Sequence, residues 1–293
     1  MSAEPASAWV DSESGRLREV VLCKPAFFDW AAENAIVQRA RLAGKKPDRA
    51  AAQRQYAEFL EALKLSGVNC RFLAPDPVLA MQTFTRDSGI VTPWGLLVSS
   101  MARPERRGEW APVMDFAARE DIPVWRKVTA GSLEGGDVQV LSPGQVLIGV
   151  NEVRTTTQGA RQVAAWFEEQ GWNARLIHVP AHFLHLDVLF CVASERLALC
   201  ATDILDEADV AWLRERFDLI PVGYRQIMKM GCNVLCLGND RVLSTAQNKE
   251  VNATLRSTGC TVFDPDMEQF VLEGGTAHCL TMPLKRDPVR AGV

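Results

Sequence analysis

Short apolar runs broken by turn residues recur along the chain at a nearly constant interval. Ile90-Val-Thr92 and Leu96-Leu-Val98, split by Pro93-Trp-Gly95, predict two strands and a tight turn. The same pattern returns at Val138–Ile148 around Pro143-Gly144, at Val188–Cys200 and at Val234–Leu243. After each hairpin comes a stretch whose apolar residues fall at helical spacing: Trp110–Arg119, Gln158–Glu169, Asp206–Arg216 and Asn248–Ser257. Upstream, Gly15–Pro25 reads as a buried strand stopped by proline. Ala43–Asp48 reads as a loop, and Arg49–Leu65 as a helix with Tyr56, Phe59, Leu60 and Leu63 on one face, closed by Gly67. Val68–Leu73 reads as a further strand.

A polar turn precedes each hairpin. Marked at Asp87, Gly136, His185, Asn233 and Gly275, these turns lie about 49, 49, 48 and 42 residues apart, which is the spacing of a repeat architecture. Five strand-and-helix units predict a closed ring in which the equivalent turns converge on a central cavity. That would gather Asp87, Glu134, His185, Asp187 and Cys279, although they are far apart in sequence.

Composition narrows the function. The net charge is only −4 and the basic residues are scattered, so neither a nucleic-acid footprint nor a polybasic membrane patch is expected. The N-terminal residues lack a basic start with an apolar run, and no later segment reaches the length of a spanning helix, so the expected compartment is the cytosol. The eight cysteines are expected to be free thiols, most of them in the core. Cys232 and Cys236 have no second pair at zinc-ligand spacing and the histidines form no HExxH helix, so no metal and no cofactor is expected.

The gathered residues suggest a chemistry. Cys279, just past Gly274-Gly275, reads either as a nucleophile or as a small buried hydrophobe. A free thiol needs a cationic neighbour or substrate to favour its thiolate. Asp87, Glu134 and Asp187 are acceptor-only carboxylates that match the planar donors of a guanidinium, and such a cation would relieve their mutual repulsion. His185 can protonate a leaving amine and then activate water. Taken singly, the aspartates also read as turn or cap residues and His185 as a core histidine; recurrence at matching positions in successive units favours the joint reading.

Phe84-Thr-Arg-Asp87, Arg106-Arg-Gly-Glu109, Glu134-Gly-Gly-Asp137, Arg154-Thr-Thr156, His185-Leu-Asp187 and the Gly-Gly with His278-Cys-Leu-Thr281 resemble the guanidino-group modifying enzymes: arginine deiminase, dimethylarginine dimethylaminohydrolase and the amidinotransferases. The resemblance runs from about Arg16 to Leu284. It implies an α/β fold, a five-fold pseudosymmetric β/α propeller (pentein) of ββαβ units, here as one catalytic domain over residues 1–293. It also implies a hydrolase that forms a covalent amidino-thioether on Cys279 and releases a ureido product with ammonia or an amine. His185 would serve as acid and then base, and Glu134 would orient the guanidinium. Asp87 and Asp187 would bind its nitrogens, and Arg107 and Arg154 would grip a substrate carboxylate. The aspartate in His185-Leu-Asp187 favours an unmethylated guanidine, because N-methyl groups would leave that carboxylate unpaired. Met81 departs from the deiminase pattern, standing where an asparagine would contact the amino-acid end of arginine. The expected partner is a small guanidino molecule, and the resemblance allows a homo-oligomer assembled through outer helices. The Phe27–Asp48 segment is the candidate lid. Two competing readings are an amidinotransferase, which would pass the adduct to an amine, and a non-catalytic propeller, which would have no use for the complete set of site residues.

Overall fold

The computed structural model of the chain describes residues 8–30 and 34–289. Strand β1 (Leu17–Cys23) leads into α1 (Ala35–Leu42) and α2 (Arg49–Leu65), and β2 (Asn69–Leu73) returns parallel to β1. Helix α2 begins at the residue after Asp48, whose carboxylate accepts from the Ala51 amide, and its buried face carries Tyr56, Phe59 and Leu63. The next unit is the hairpin β3 (Gly89–Thr92) and β4 (Gly95–Val98), then α3 (Trp110–Arg119), then β5 (Val124–Lys127) parallel to β4. The third repeats the order with β6 (Val138–Ser142), β7 (Gln145–Val150), α4 (Thr157–Glu169) and β8 (Asn173–His178). The fourth has β9 (Phe190–Val192), β10 (Leu197–Cys200), α5 (Glu207–Arg214) and β11 (Asp218–Pro221), followed by the short α6 (Tyr224–Ile227). The fifth has β12 (Leu235–Gly238), β13 (Arg241–Leu243), α7 (Lys249–Ser257) and β14 (Thr261–Phe263), then α8 (Glu268–Glu273) and β15 (Met282–Arg286).

Among the described residues these strands make five three-stranded sheets. In four of them the strands are consecutive. In the fifth, β15 pairs antiparallel with β1, so the last strand supplies the hairpin partner that β1 lacks and one sheet contains both ends of the repeat. Along the chain of neighbours, β15 touches β3, the turns before β3, β6 and β9 touch one another in succession, β9 touches β12 and β12 touches β1.

The hairpin strands are almost wholly buried, whereas β5, β8, β11 and β14 are half-exposed outer strands. The expected hairpins and their following helices all form, with bounds moved by a residue or two. The candidate lid is in part helix α1, whose Asn34 cap accepts from the Ile36 and Val37 amides. Residues 31–33 of that segment lie outside the described residues. No helix among the described residues is long and apolar enough to cross a membrane.

Candidate active site

Four of the predicted site residues sit on, or cap, single turns of 3-10 helix just before the first strand of a sheet. Asp87 lies in Thr85–Ser88 ahead of β3, Glu134 caps Gly135–Asp137 ahead of β6, and His185 and Asp187 flank Leu186 ahead of β9. Cys279 lies in the turn between α8 and β15. That turn opens at Gly274, which ends α8 with a φ of +101°, a conformation that favours glycine. At Gly136 a Cβ would fall 2.8 Å from His185 Nδ1 and 2.9 Å from Asp87 Oδ1, so the glycine lets the three turns close together.

The resulting narrow cleft is lined by Asp87, Arg106, Arg154, His185, Glu273 and Cys279, with Met81, Phe84 and Leu184 as its apolar lining. Wider hollows open on the outer surface beside Phe217 and between Lys45 and Lys249, but neither brings a nucleophile to a base.

His185 is fixed by two carboxylates. Its Nε2 is 2.8 Å from Glu134 Oε2 and its Nδ1 is 3.5 Å from Asp87 Oδ1. Burial would lower its pKa, but the Asp87 charge and the Glu134 hydrogen bond outweigh that and raise it to about 9. Burial would likewise raise the pKa of Glu134. The hydrogen bond from His185 and the charges of Arg154 and Arg106 instead hold it well below the usual carboxylate range.

Cys279 is arranged differently. Its Sγ donates to Asp187 Oδ2 at 3.2 Å and accepts from Asn233 Nδ2 at 3.1 Å. Burial, together with the negative charges of Asp187 and Asp87, pushes its pKa well above the ordinary thiol value, so a neutral thiol and a cationic imidazole line the same cleft. Asp187 Oδ2 also takes the Nδ1 of His278 at 2.8 Å. Behind His278, Glu13 meets Arg86 at 3.2 Å, Arg286 at 3.6 Å and His278 Nε2 at 3.8 Å, a buried ionic chain that ends on the cysteine's acceptor.

The structure thus brings six of the seven expected residues together: Cys279, His185, Glu134, Asp87, Asp187 and Arg154. It does not bring Arg107, which is exposed and, among the described residues, donates only to the Ala102 carbonyl. The neighbouring Arg106 points inward instead. Its Nη1 lies 2.7 Å from Asp87 Oδ2, and its Nε and Nη2 clasp Glu109 at 2.8 Å each. Arg154 pairs through Nη1 with Glu134 Oε2 at 3.1 Å. It stands on a turn in which Asn151 Oδ1 accepts from the amides of Val153, Arg154 and Thr155. Sequence reasoning passed over Arg106, Glu109, His278, Asn233 and the Glu13 chain. Two of these carried a signal: Asn233 heads the fifth unit at the repeat interval, and the Arg106/Glu109 spacing of three residues sets both side chains on one face of a turn.

Asp87, Glu134 and His185 could together offer three ligand atoms within 4.8 Å of one another to a metal ion. Arg106 and Arg154 already sit on those carboxylates, so a dication there would face two guanidinium groups. The more telling detail is that Asp187 Oδ1 is a buried acceptor without a hydrogen-bond donor among the described residues, while Asp87 Oδ1 meets only the His185 imidazole. Buried carboxylate oxygens of this kind call for N–H donors.

Residues 26–286 match the family model described as N,N dimethylarginine dimethylhydrolase, eukaryotic. An uncharacterized protein, YkgA, of Bacillus subtilis is 31% identical over 277 residues, covering 94% of each chain. The dimethylarginine dimethylaminohydrolase of Pseudomonas aeruginosa is 23% identical over 81% of this chain and 90% of its own. An arginine deiminase of Listeria monocytogenes is 26% identical, but the match spans only 64% of that longer protein. Among solved structures, the N-terminal domain of the cyanobacterial arginine dihydrolase ArgZ superposes with a TM-score of 0.79 at 18% identity, over 92% of this chain and 98% of that one. A cysteine-to-serine mutant of the Pseudomonas dimethylarginine enzyme bound to citrulline superposes with a TM-score of 0.77 at 21% identity, over 91% and 99%. These likenesses give the fold.

Proposed function

This chain belongs to the N,N-dimethylarginine dimethylhydrolase family, within the guanidino-modifying pentein superfamily, and on that premise we propose that it hydrolyses a C–N bond of a small guanidino compound through an adduct on Cys279. The observation that carries this reading is that Asp187 Oδ1, buried with the thiol, has no hydrogen-bond donor among the described residues, while Asp87 Oδ1 meets only the His185 imidazole, at 3.5 Å. A guanidinium would supply planar N–H donors to both and a positive charge next to the sulfur.

In this reading the bound cation draws the Cys279 pKa down and the thiol proton is released to solvent as the cation binds. Sγ attacks the guanidine carbon. The resulting tetrahedral adduct expels a nitrogen, which takes a proton from the imidazolium of His185 and departs as ammonia or an amine. Neutral His185 then takes a proton from water as the water oxygen attacks the amidino carbon, and the C–S bond breaks to return the thiolate and a ureido product. The balance is guanidine plus water to a urea derivative plus ammonia or amine. Glu134 orients His185 and the guanidinium, Asp87 and Asp187 take its nitrogens, and Asn233 supplies a donor to the thiolate. Arg154 is the arginine we assign to the far end of the substrate; Arg107, outside the cleft, is left without that role.

We further read the five sheets as blades of a closed ring forming one catalytic domain, and eight free thiols as in keeping with a cytosolic enzyme. The test is to incubate the protein with arginine, methylated arginines, agmatine and guanidino acids and to follow ureido product and released ammonia or amine. Product formed without an added amine acceptor, and abolished in Cys279→Ser, is the expected result. Product only with an acceptor amine would make the protein a transferase, and no product from any guanidine would refute the reading.

A further inference from the structure

The two oxygens of Asp187 have different surroundings, and the difference bears on the reaction proposed above, on which the inference rests. Oδ2 receives two donors, the Cys279 thiol at 3.2 Å and His278 Nδ1 at 2.8 Å, whereas Oδ1 is buried and receives none among the described residues. The terminal torsion of an aspartate is broad and roughly two-fold, so nothing in the side chain itself keeps one oxygen on the sulfur and the other open. The division must come from a donor that stays in place. The thiol is not that donor, because it gives up its proton when the nucleophile forms, and Oδ2 then faces a thiolate of like charge.

His278 remains. Its ring is buried, and because a carboxylate only accepts, the hydrogen of the 2.8 Å contact belongs to Nδ1. The backbone under the ring is tied down: the His278 carbonyl accepts from Thr281 Oγ1 at 3.1 Å and from Arg86 Nε at 3.5 Å. Behind the ring, Nε2 lies 3.8 Å from Glu13 Oε2, beyond hydrogen-bond reach, and Glu13 is paired with Arg86. Asp187 is thus the imidazole's one hydrogen-bonded partner among the described residues. Burial would raise the pKa of Asp187, but the hydrogen bond and charge of His278, with the charge of His185, hold it below its ordinary value. Cys191 on β9 and Cys232 ahead of β12 also face this carboxylate, and burial pushes both thiols up, so they stay neutral.

We propose that His278 is a positioning residue for the reaction: its Nδ1–H pins Oδ2 of Asp187, so that Oδ1 stays presented to the guanidinium while the neighbouring sulfur passes from thiol to thiolate to adduct. In this role the histidine transfers no proton and touches no reacting atom.

Asparagine places an amide nitrogen near the position of Nδ1 and leucine does not, so the two variants separate the hydrogen bond from the bulk of the ring. His278→Leu should raise KM for a guanidine that the wild type turns over by about tenfold or more, the worth of a hydrogen bond to a charged group, with a smaller effect on kcat. Without that donor burial raises the Asp187 pKa, and a protonated Asp187 binds a guanidinium poorly. KM of His278→Leu should therefore climb more steeply than that of the wild type as pH falls from about 7 to about 5, and His278→Asn should return both KM and its pH course toward the wild type. Ring-nitrogen NMR of the wild type, with His278 assigned by the loss of its signals in His278→Asn, should show hydrogen on Nδ1 from about pH 6 to about pH 8. A bare Nδ1, a pH course of His278→Leu parallel to the wild type, or a His278→Asn as impaired as His278→Leu would overturn the inference and leave guanidine hydrolysis standing. No turnover of any guanidine by the wild type would overturn both. If His278→Leu fails to fold, the ring-nitrogen signals and the kinetics of His278→Asn still decide.

Discussion

Cys279 is kept as a thiol by the carboxylate that the reaction later needs. Asp187 accepts the S–H, and its charge opposes thiolate formation. Asp187→Asn should therefore lower the pKa of Cys279, and the midpoint of its iodoacetamide alkylation profile should move to lower pH while turnover falls; an upward shift would mean that Asp187 promotes the thiolate. His185 leads to a second expectation. Its folded pKa of about 9 lies above its ordinary value, so the stability it contributes is fully present below about pH 6.5 and is lost as pH rises through 9. Asp137, a buried acid whose pKa burial raises to about 7, loses its contribution as pH rises toward 7, and the cysteines, whose pKa values burial raises, begin to lose theirs only near the ordinary thiol value of about 8.5, which leaves the window from 7 to 8 to the histidine. Urea midpoints of the wild type should fall across that window and those of His185→Gln should stay nearly level; parallel slopes would show that another group titrates there. At this scale the sequence was legible for the groups that recur at the heads of the repeats. It misled at Arg107, because adjacent residues on a tight turn point about 120° apart and nothing local says which of two arginines faces inward.

The turns that carry the chemistry are held by side chains that no repeat pattern reveals. Asn151 is the clearest case, since its Oδ1 takes three successive amides and its Nδ2 ties the turn to Leu184 ahead of His185. Asn151→Ala should cost about 2 to 4 kcal/mol in a denaturant titration, the cost of stranding several buried polar groups. It should also reduce kcat/KM through misplacement of Arg154; an unchanged midpoint would show that water replaces the asparagine. Helix α2 could be read with its bounds because Asp48 caps it, its apolar residues share a face and Gly67 follows it. Helix α1 could not, because it is short and strongly polar on one side, and its order depends on Asn34 reaching the Glu273 carbonyl far along the chain. The outer strands are similarly opaque: β5 is only four residues long, mostly exposed, and exists through its pairing with β4.

The five sheets share no single core. Instead, apolar clusters join neighbouring units, as where β3 and β4 residues pack with those of β6, β7 and α4, and where β9 and β10 pack with residues of the fifth unit. The strand that completes the sheet of β1 and β2, β15, comes from the far end of the chain, and Arg286 at its end donates to the carbonyls of Gly15 and Cys236 in two other segments. A unit that unfolded by itself would strip both neighbours of their packing and leave buried ionic groups such as Glu13 and Arg86 without partners, so partial unfolding is penalised at two interfaces at once. The whole molecule should therefore lose structure in one step. Two distant reporters can test this: the tryptophan cluster of Trp94, Trp125 and Trp172 between the second and third units, and the buried thiols Cys191 and Cys200 of the fourth. Tryptophan emission and site-resolved alkylation of those cysteines should change at the same denaturant concentration. Exposure of Cys191 and Cys200 before the emission shift would instead show that the fourth unit opens by itself, and the turn carrying His185 and Asp187 would then belong to the least stable part of the protein.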